Sequence, residues 1–193
     1  VAQTFQKGNG PSEAWLWTVL AKQLFGALAH LHSQTPHPIV HRDIKPENIL
    51  LASRGNRIVI TDFGLAASHE RTFMSTRAGS FHYLAPECWS HRYTASVDVW
   101  SAGCILYASA TSAIAPPLAR VMFNDARHPS FPNEIRDDLR GYSPDFANLI
   151  LSILKMDPNQ RPTAAEVYDM VCKKCELISR RNLSDEDTKS NAG

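Results

Sequence analysis

The feature that most constrains the fold is an uncharged stretch from Val99 to Ala119, which is about as long as a bilayer span. Asp98 stands directly before this stretch, and Pro116 and Pro117 interrupt it near its end. Serine and threonine residues are distributed along it. This pattern favours a helix buried in the core of a globular domain over a membrane-spanning helix. The rest of the chain must therefore supply the apolar surface that encloses this helix.

The length and composition of the chain supply enough apolar residues to enclose this helix in one domain. The chain has 193 residues and is 44% hydrophobic, which suits a single compact core and is too little for two ordinary domains. Its 20 basic and 19 acidic residues leave a net charge of +1, so we expect neither nucleic acid nor a membrane as a partner. Four cysteines without a secretory signal indicate reduced thiols in the cytoplasm or nucleus.

The first half of the chain predicts a long helix followed by a hairpin. Ser12 can cap an amphipathic helix that ends near His32. Its apolar stripe consists of Leu16, Leu20, Leu24, Leu28 and Leu31. Two short β-type runs, Ile49 to Leu51 and Arg57 to Ile60, are separated by turn residues and suit a small hairpin. The polar segment from Thr61 to Glu87 has no periodicity, which is typical of a functional or a disordered loop.

The second half predicts further helices and a polar tail. The buried helix should cover about residues 96–110, and Ser143 followed by Pro144 starts another. Thr163 and Glu166 form a capping box for the last helix. From Asn182 onward the composition is polar and charged, which predicts a frayed end. We therefore expect one domain over residues 1–180 and a disordered tail over 181–193.

The segment from His41 to Asn48 carries the residue types that phosphoryl transfer requires. Such a reaction needs an acceptor for the proton of the attacking hydroxyl, a cation near the phosphate oxygens and oxygen ligands for a metal ion. Asp43, Lys45 and Asn48 are these three types. The alternative interpretation is a charged surface turn in which Arg42 pairs with a neighbouring carboxylate.

Three more motifs follow in a fixed order. Asp62-Phe63-Gly64 comes directly after the second β-type run, Ala85-Pro86-Glu87 closes the long loop, and Asp98 opens the apolar helix. With the segment 41–48, these motifs resemble the eukaryotic serine/threonine protein kinases over residues 12–178. Segments 142–145 and 157–163 are similar to those of the never-in-mitosis-related kinases.

The resemblance implies a protein-kinase-like α+β fold. This chain would form the mainly helical, large carboxy-terminal lobe with its small catalytic-loop hairpin. The amino-terminal β lobe, with its glycine-rich loop and strand lysine, is expected to be missing. A fragment of an active kinase and a truncated, non-catalytic binding module therefore both remain open, and the fragment by itself is expected to be inactive.

The resemblance also implies a role for each site residue in a reaction with ATP and Mg²⁺. Asp43 would be the base, and Lys45 would neutralise charge on the γ-phosphoryl group. Asn48 and Asp62 would hold Mg²⁺, and Leu50 would form the floor beneath adenine. A lysine two places after Asp43 is typical of the serine/threonine branch, so the substrates would be proteins with serine or threonine acceptors.

A second set of residues would support these groups. By resemblance, Glu87 pairs with Arg161, and Asp98 accepts backbone hydrogen bonds from the catalytic loop. Phe63 would pack against His41. The hydroxyl of Ser80 would contact Asp43 and Lys45 and so position the substrate.

The long loop also suggests regulation. Thr76, or Ser75 beside it, stands where many relatives carry an activating phosphate, and Arg42 would be the partner of that phosphate. This implies an upstream activating kinase. The alternative is that these hydroxyls are merely solvated.

Overall fold

The computed structural model describes residues 11–66, 80–90, 94–112 and 131–190, and the structural statements below concern these residues. For residues 80, 81, 89, 90 and 182–190 it describes the backbone alone. The predicted phosphorylation sites Ser75 and Thr76 lie outside the described residues.

The first helical run confirms the predicted amphipathic helix. The run consists of α1 (Glu13–Trp15), a π-helical section (Leu16–Ala21) and α2 (Lys22–His32). The Ser12 Oγ accepts a hydrogen bond from the backbone N–H of Trp15 at 3.2 Å, which caps the run as expected. Its buried face carries Leu16, Leu20, Leu24 and Leu28. The π-helical section was not predicted, because the apolar periodicity of a helix does not distinguish hydrogen bonds of the α and π types.

The predicted hairpin is also confirmed. Strands β1 (Ile49–Ala52) and β2 (Arg57–Ile60) pair antiparallel, with Ile49 opposite Ile60. The connecting turn has positive φ at Ser53, Arg54 and Gly55. At Gly55, where φ is 88°, a side chain would be strained.

Helix α3 (Ser96–Thr111) is the predicted core helix. Its residues are buried all round from Val97 to Tyr107, so it shows no polar face. Ser101 is one of its few buried polar groups, and its hydroxyl lies 2.7 Å from the carbonyl oxygen of Tyr83, to which it donates. Of the helices that the structure describes, none combines the length and the apolar character needed to cross a bilayer.

The remaining helices are α4 (Phe131–Asp138), α5 (Pro144–Ile153) and α6 (Ala164–Ser190). The Ser143 Oγ caps α5. The predicted capping box of α6 is present, since Glu166 accepts from the Thr163 N–H at 2.8 Å and Thr163 Oγ1 accepts from the Glu166 N–H at 3.2 Å. Packing of α6 against α2 is close, because a Cβ placed at Gly26 would lie 2.9 Å from the Tyr168 ring.

The backbone of α6 is helical to Ser190, whereas the polar composition predicted a frayed end from Asn182. A helix that is already nucleated gains one hydrogen bond for each residue added, so polar residues can extend it beyond the packed part. The domain boundary at residue 180 stays a prediction.

Candidate functional site

The site begins with the buried carboxylate of Asp98, which holds the chain after α2. Its two oxygens accept hydrogen bonds from the backbone N–H groups of His41 and Arg42, both at 2.8 Å. Arg42 has a φ of 68° at this point, a left-handed conformation that non-glycine residues seldom adopt. The carboxylate therefore fixes an otherwise unfavourable turn of the backbone.

His32 is a third partner of the same carboxylate, which the sequence analysis did not identify. Its Nε2 lies 2.9 Å from Asp98 Oδ2. In the sequence, only the position of His32 in the last turn of the long helix could have indicated this contact, because Asp98 is 66 residues away.

The side chains of Asp43, Lys45 and Asn48 meet immediately after this turn. Lys45 Nζ lies 2.7 Å from Asp43 Oδ2. Asn48 Nδ2 donates to the same carboxylate oxygen at 3.0 Å and to the backbone carbonyl of Asp43 at 2.8 Å. The Asp43 carboxylate is therefore held at one oxygen by two donors, and Asn48 uses its amide nitrogen for both of its contacts with Asp43.

The hairpin brings Asn48 next to the Asp62 segment. Asn48 precedes β1, and its carbonyl oxygen accepts the Thr61 backbone N–H at 2.9 Å and the Thr61 hydroxyl at 3.3 Å. Asp62 follows directly and has a φ of 62°. Its Oδ1 accepts the Gly64 N–H at 3.4 Å, and its side chain is exposed.

The His41 side chain connects the catalytic-loop segment with the segment from Thr61 to Phe63. Its ring is fully buried, and Nε2 lies 3.0 Å from the carbonyl oxygen of Thr61. The ring of Phe63 packs edge-on against it, with 4.8 Å between centroids. The expected contact between Phe63 and His41 is thus present, and the bond to Thr61 is an addition to it.

The oxygen groups at the open end of the hairpin suit a hard cation. The Asn48 amide oxygen and the Asp62 carboxylate are ligands that Mg²⁺ accepts. Within the described ranges no group of three or more His, Cys, Asp or Glu side chains could hold a metal ion. A Mg²⁺ ion here would therefore take its remaining ligands from water and from a bound substrate, which is how Mg²⁺ commonly binds at phosphate sites.

A buried ion pair supports the end of the long loop. Arg161 Nη1 and Nη2 donate to the two carboxylate oxygens of Glu87 at 2.5 and 2.7 Å. The Arg161 Nε donates to the Lys155 carbonyl at 2.7 Å, and the guanidinium lies 4.7 Å from the Trp100 ring centroid. Burial, together with the charge of the adjacent Glu87, raises the pKa of the Cys88 thiol to about 11.

For two other predicted site residues, Leu50 and Ser80, the structure gives the position in the secondary structure. Leu50 lies on β1 with its side chain 52% exposed. Ser80 begins the short 3₁₀ segment Ser80–Tyr83, and the surroundings of its side chain lie outside what the structure describes. The structure thus brings Asp43, Lys45 and Asn48 together, with Asp62 on the neighbouring strand end.

Comparison with known proteins gives one family. The family model described as protein kinase domain matches residues 3–171. The chain is 37% identical to the G2-specific protein kinase nimA of Emericella nidulans over 143 residues, which are 70% of this chain and 19% of that protein. It is 35% identical to the serine/threonine-protein kinase VIK of Arabidopsis thaliana, over 82% of this chain and 36% of that protein.

A third relative is the serine/threonine-protein kinase chk-2 of Caenorhabditis elegans, with 34% identity over 80% of this chain and 33% of that protein. In these three matches the chain spans between 19% and 36% of the relative's length.

Proposed function

Because the chain belongs to the protein kinase family, we propose that it carries the catalytic groups of a serine/threonine protein kinase. The reaction would transfer the γ-phosphoryl group of ATP to serine or threonine hydroxyls of proteins. The observation that carries the proposal is the Asp43 carboxylate held by Lys45 at 2.7 Å and by Asn48 at 3.0 Å. The identity to nimA supports the predicted likeness to the never-in-mitosis-related group.

Asp43 would orient the substrate hydroxyl and accept its proton. A carboxylate that is fixed in direction before the substrate arrives needs little reorganisation during the reaction. Lys45 adds a positive charge beside it, where charge on the transferred group has to be balanced.

Asn48 and Asp62 would hold Mg²⁺ at the open end of the hairpin. When bound, Mg²⁺ supplies positive charge to the phosphate oxygens of ATP. The hydrogen bonds from Thr61 to the Asn48 carbonyl keep the two ligand-bearing segments adjacent. Exposed Leu50, on the neighbouring strand, would offer an apolar surface to adenine.

Further elements of the proposal concern substrate and control. The Ser80 hydroxyl would position the substrate, and phosphate on Thr76, or on Ser75 beside it, would bind Arg42 next to Asp43 after the action of an upstream kinase. The cysteines that the structure describes are free thiols, which supports the cytoplasm or nucleus as the compartment.

The test is phosphate transfer by the complete product of the gene that encodes this chain. Labelled ATP and Mg²⁺ are supplied with protein acceptors, and phosphoamino-acid analysis identifies the modified residue. We expect phosphoserine and phosphothreonine, and loss of the general base in Asp43→Asn should slow transfer by about 10²–10⁴-fold. Asp169→Asn, at an exposed position of α6, is the matched control and should leave the rate unchanged.

Two results would contradict the proposal. Equal rates for Asp43→Asn and the unaltered protein would remove Asp43 from the mechanism. A folded complete product that transfers no phosphate would instead favour the non-catalytic binding module.

A further inference from the structure

The turn of the hairpin is held from the side by the first helical run. Gln23, on α2, donates from Nε2 to the Asn56 carbonyl at 2.9 Å and accepts the Ile58 backbone N–H at Oε1 at 3.0 Å. Trp15, at the end of α1, donates from Nε1 to the Gly55 carbonyl at 2.9 Å. Two side chains thus bind three backbone groups, the carbonyls of Gly55 and Asn56 in the turn and the N–H of Ile58 in β2.

The Gln23 amide substitutes for a neighbouring strand. A primary amide has a carbonyl oxygen that accepts and an NH₂ group with two donors, and one of these N–H groups lies on the same side as the oxygen, so the amide can bind a neighbouring C=O and N–H together. It contacts the Asn56 carbonyl and the Ile58 N–H, a pair of groups that an additional strand would otherwise satisfy. A hairpin of two strands is marginally stable by itself, so such a contact determines how firmly it is held.

The same hairpin carries the proposed metal ligands at its other end. Asn48 directly precedes β1, and Asp62 is the second residue after β2 ends at Ile60. The pairs between Ile49 and Ile60 and between Ala52 and Arg57 make the hairpin one unit. A tilt or slip at the turn would therefore shift both ligands.

We propose that Gln23 is a positioning residue for the metal ligands Asn48 and Asp62. This inference rests on the proposed kinase function. Gln23 acts through the backbone of β2 and touches neither ligand. Its removal should weaken Mg²⁺ binding more than it weakens the fold, because the side chain is only half-buried.

The test compares Gln23→Met with Gln34→Met in the complete gene product. Methionine keeps the length of the side chain and removes the amide. Gln34 is the matched control, because the hydrogen bonds of its amide are made to His30 within its own helical end. The readouts are the Mg²⁺ concentration for half-maximal transfer at saturating ATP, and hydrogen exchange of residues 49–62.

We expect Gln23→Met to raise the half-maximal Mg²⁺ concentration by about threefold, less than the roughly 10–100-fold that follows loss of a group bound directly to a metal ligand. Amide exchange in β2 should become faster. Gln34→Met should match the unaltered protein in both readouts.

A second pair of variants covers the case in which Gln23→Met folds poorly. Gln23→Glu has the same size, keeps the acceptor for the Ile58 N–H and places an oxygen against the Asn56 carbonyl. It should also raise the Mg²⁺ requirement, whereas Gln34→Glu should not.

Three outcomes are distinguishable. If the unaltered protein is active and the Gln23 variants have the Mg²⁺ dependence of the Gln34 variants, the positioning role is wrong. Unchanged exchange in β2 of the Gln23 variants would also overturn it. If the unaltered protein transfers no phosphate, the proposed function fails and this inference fails with it.

Discussion

Arg161 shows how much one buried charged residue can contribute to the stability of the fold. Its guanidinium binds both oxygens of Glu87 and also backbone carbonyls, including that of Lys155. Removing one member of such a pair leaves a charge without compensation in a poorly solvating environment. The structural importance of this residue therefore exceeds that of the surface ion pairs in the same chain.

Arg161→Ala should lower the free energy of unfolding by about 3–5 kcal/mol, because Glu87 would remain buried and unpaired. Urea denaturation followed by circular dichroism measures this change. Arg140→Ala is the matched control, since it breaks an exposed pair with Asp137 and should cost less than about 1 kcal/mol. Equal losses for the two variants would contradict the argument.

The buried thiol of Cys88 should make the stability of the protein depend on pH in the alkaline range. Burial, and then the Glu87 charge, raise the pKa of its thiol from 9.0 to about 11. Between these values the unfolded chain has lost the proton and the folded chain retains it, so the stabilisation falls as the pH rises from about 9 to about 11. Denaturation curves measured at several pH values in this range give the free energy of unfolding as a function of pH. The decrease of this free energy with rising pH should be smaller in Cys88→Ala than in the unaltered protein. If Cys88→Ala and the unaltered protein give the same decrease, burial of the Cys88 thiol is not its cause.

At the scale of elements, the contact of α3 with α5 depends on the absence of a side chain. A Cβ built at Gly103 would lie 2.4 Å from Ile153 Cγ2, which no relaxed pair of carbon atoms allows. The two helices can approach this closely because α3 has glycine at the crossing. The contact lies at the end of α5, eight residues before Arg161.

Gly103→Ala should destabilise the protein by about 1–3 kcal/mol, because the added methyl group must displace Ile153. Thermal unfolding measured by calorimetry is a suitable assay. Gly141→Ala is the control, since no heavy atom lies within 4 Å of its added Cβ. A destabilisation by Gly141→Ala as large as that by Gly103→Ala would show that loss of glycine, and not the crossing, is responsible.

The sequence predicted the first helical run, the hairpin and the core helix for a physical reason, whereas α4 and the π-helical section were not predicted. Helix caps such as Thr163 with Glu166, and the periodic leucines of the first helix, are local patterns that act over a few residues. Contacts between distant residues were predicted only where a motif resemblance indicated them, as for Glu87 with Arg161. The bonds of Gln23 to Asn56 and of His32 to Asp98 join residues 33 and 66 positions apart, and no local pattern indicates them.

On the scale of the whole molecule, a buried cluster among the described residues joins the helices and the hairpin. Its members include Leu24 of α2, Ile49 of β1, Trp100 of α3, Ile150 of α5 and Val171 of α6. Because these elements share a core, the loop that carries Asp43 is attached to the same packed unit as the ion pair of Arg161.

Regulation through the long loop can be tested in the complete gene product. If phosphate on Thr76 binds Arg42 and orders the loop, Thr76→Ala should lower the transfer rate, and phosphatase treatment should lower the rate of the unaltered protein by a similar factor. Ser68→Ala, earlier in the loop, is the control and should remain sensitive to phosphatase. A fully active Thr76→Ala protein would exclude this site.

The position of Asp98 links the proposed catalytic loop to the folded core. The carboxylate that fixes the backbone at His41 and Arg42 is part of α3, which is buried from Val97 to Tyr107. A substitution that shifts this helix within the core should therefore also shift the proposed catalytic loop, residues 41–48, even when the substituted residue lies far from any substrate. During heating of the complete gene product, the proposed phosphate transfer should be lost together with the native core and not in a separate earlier step, which would make residual transfer a sensitive report of the folded population.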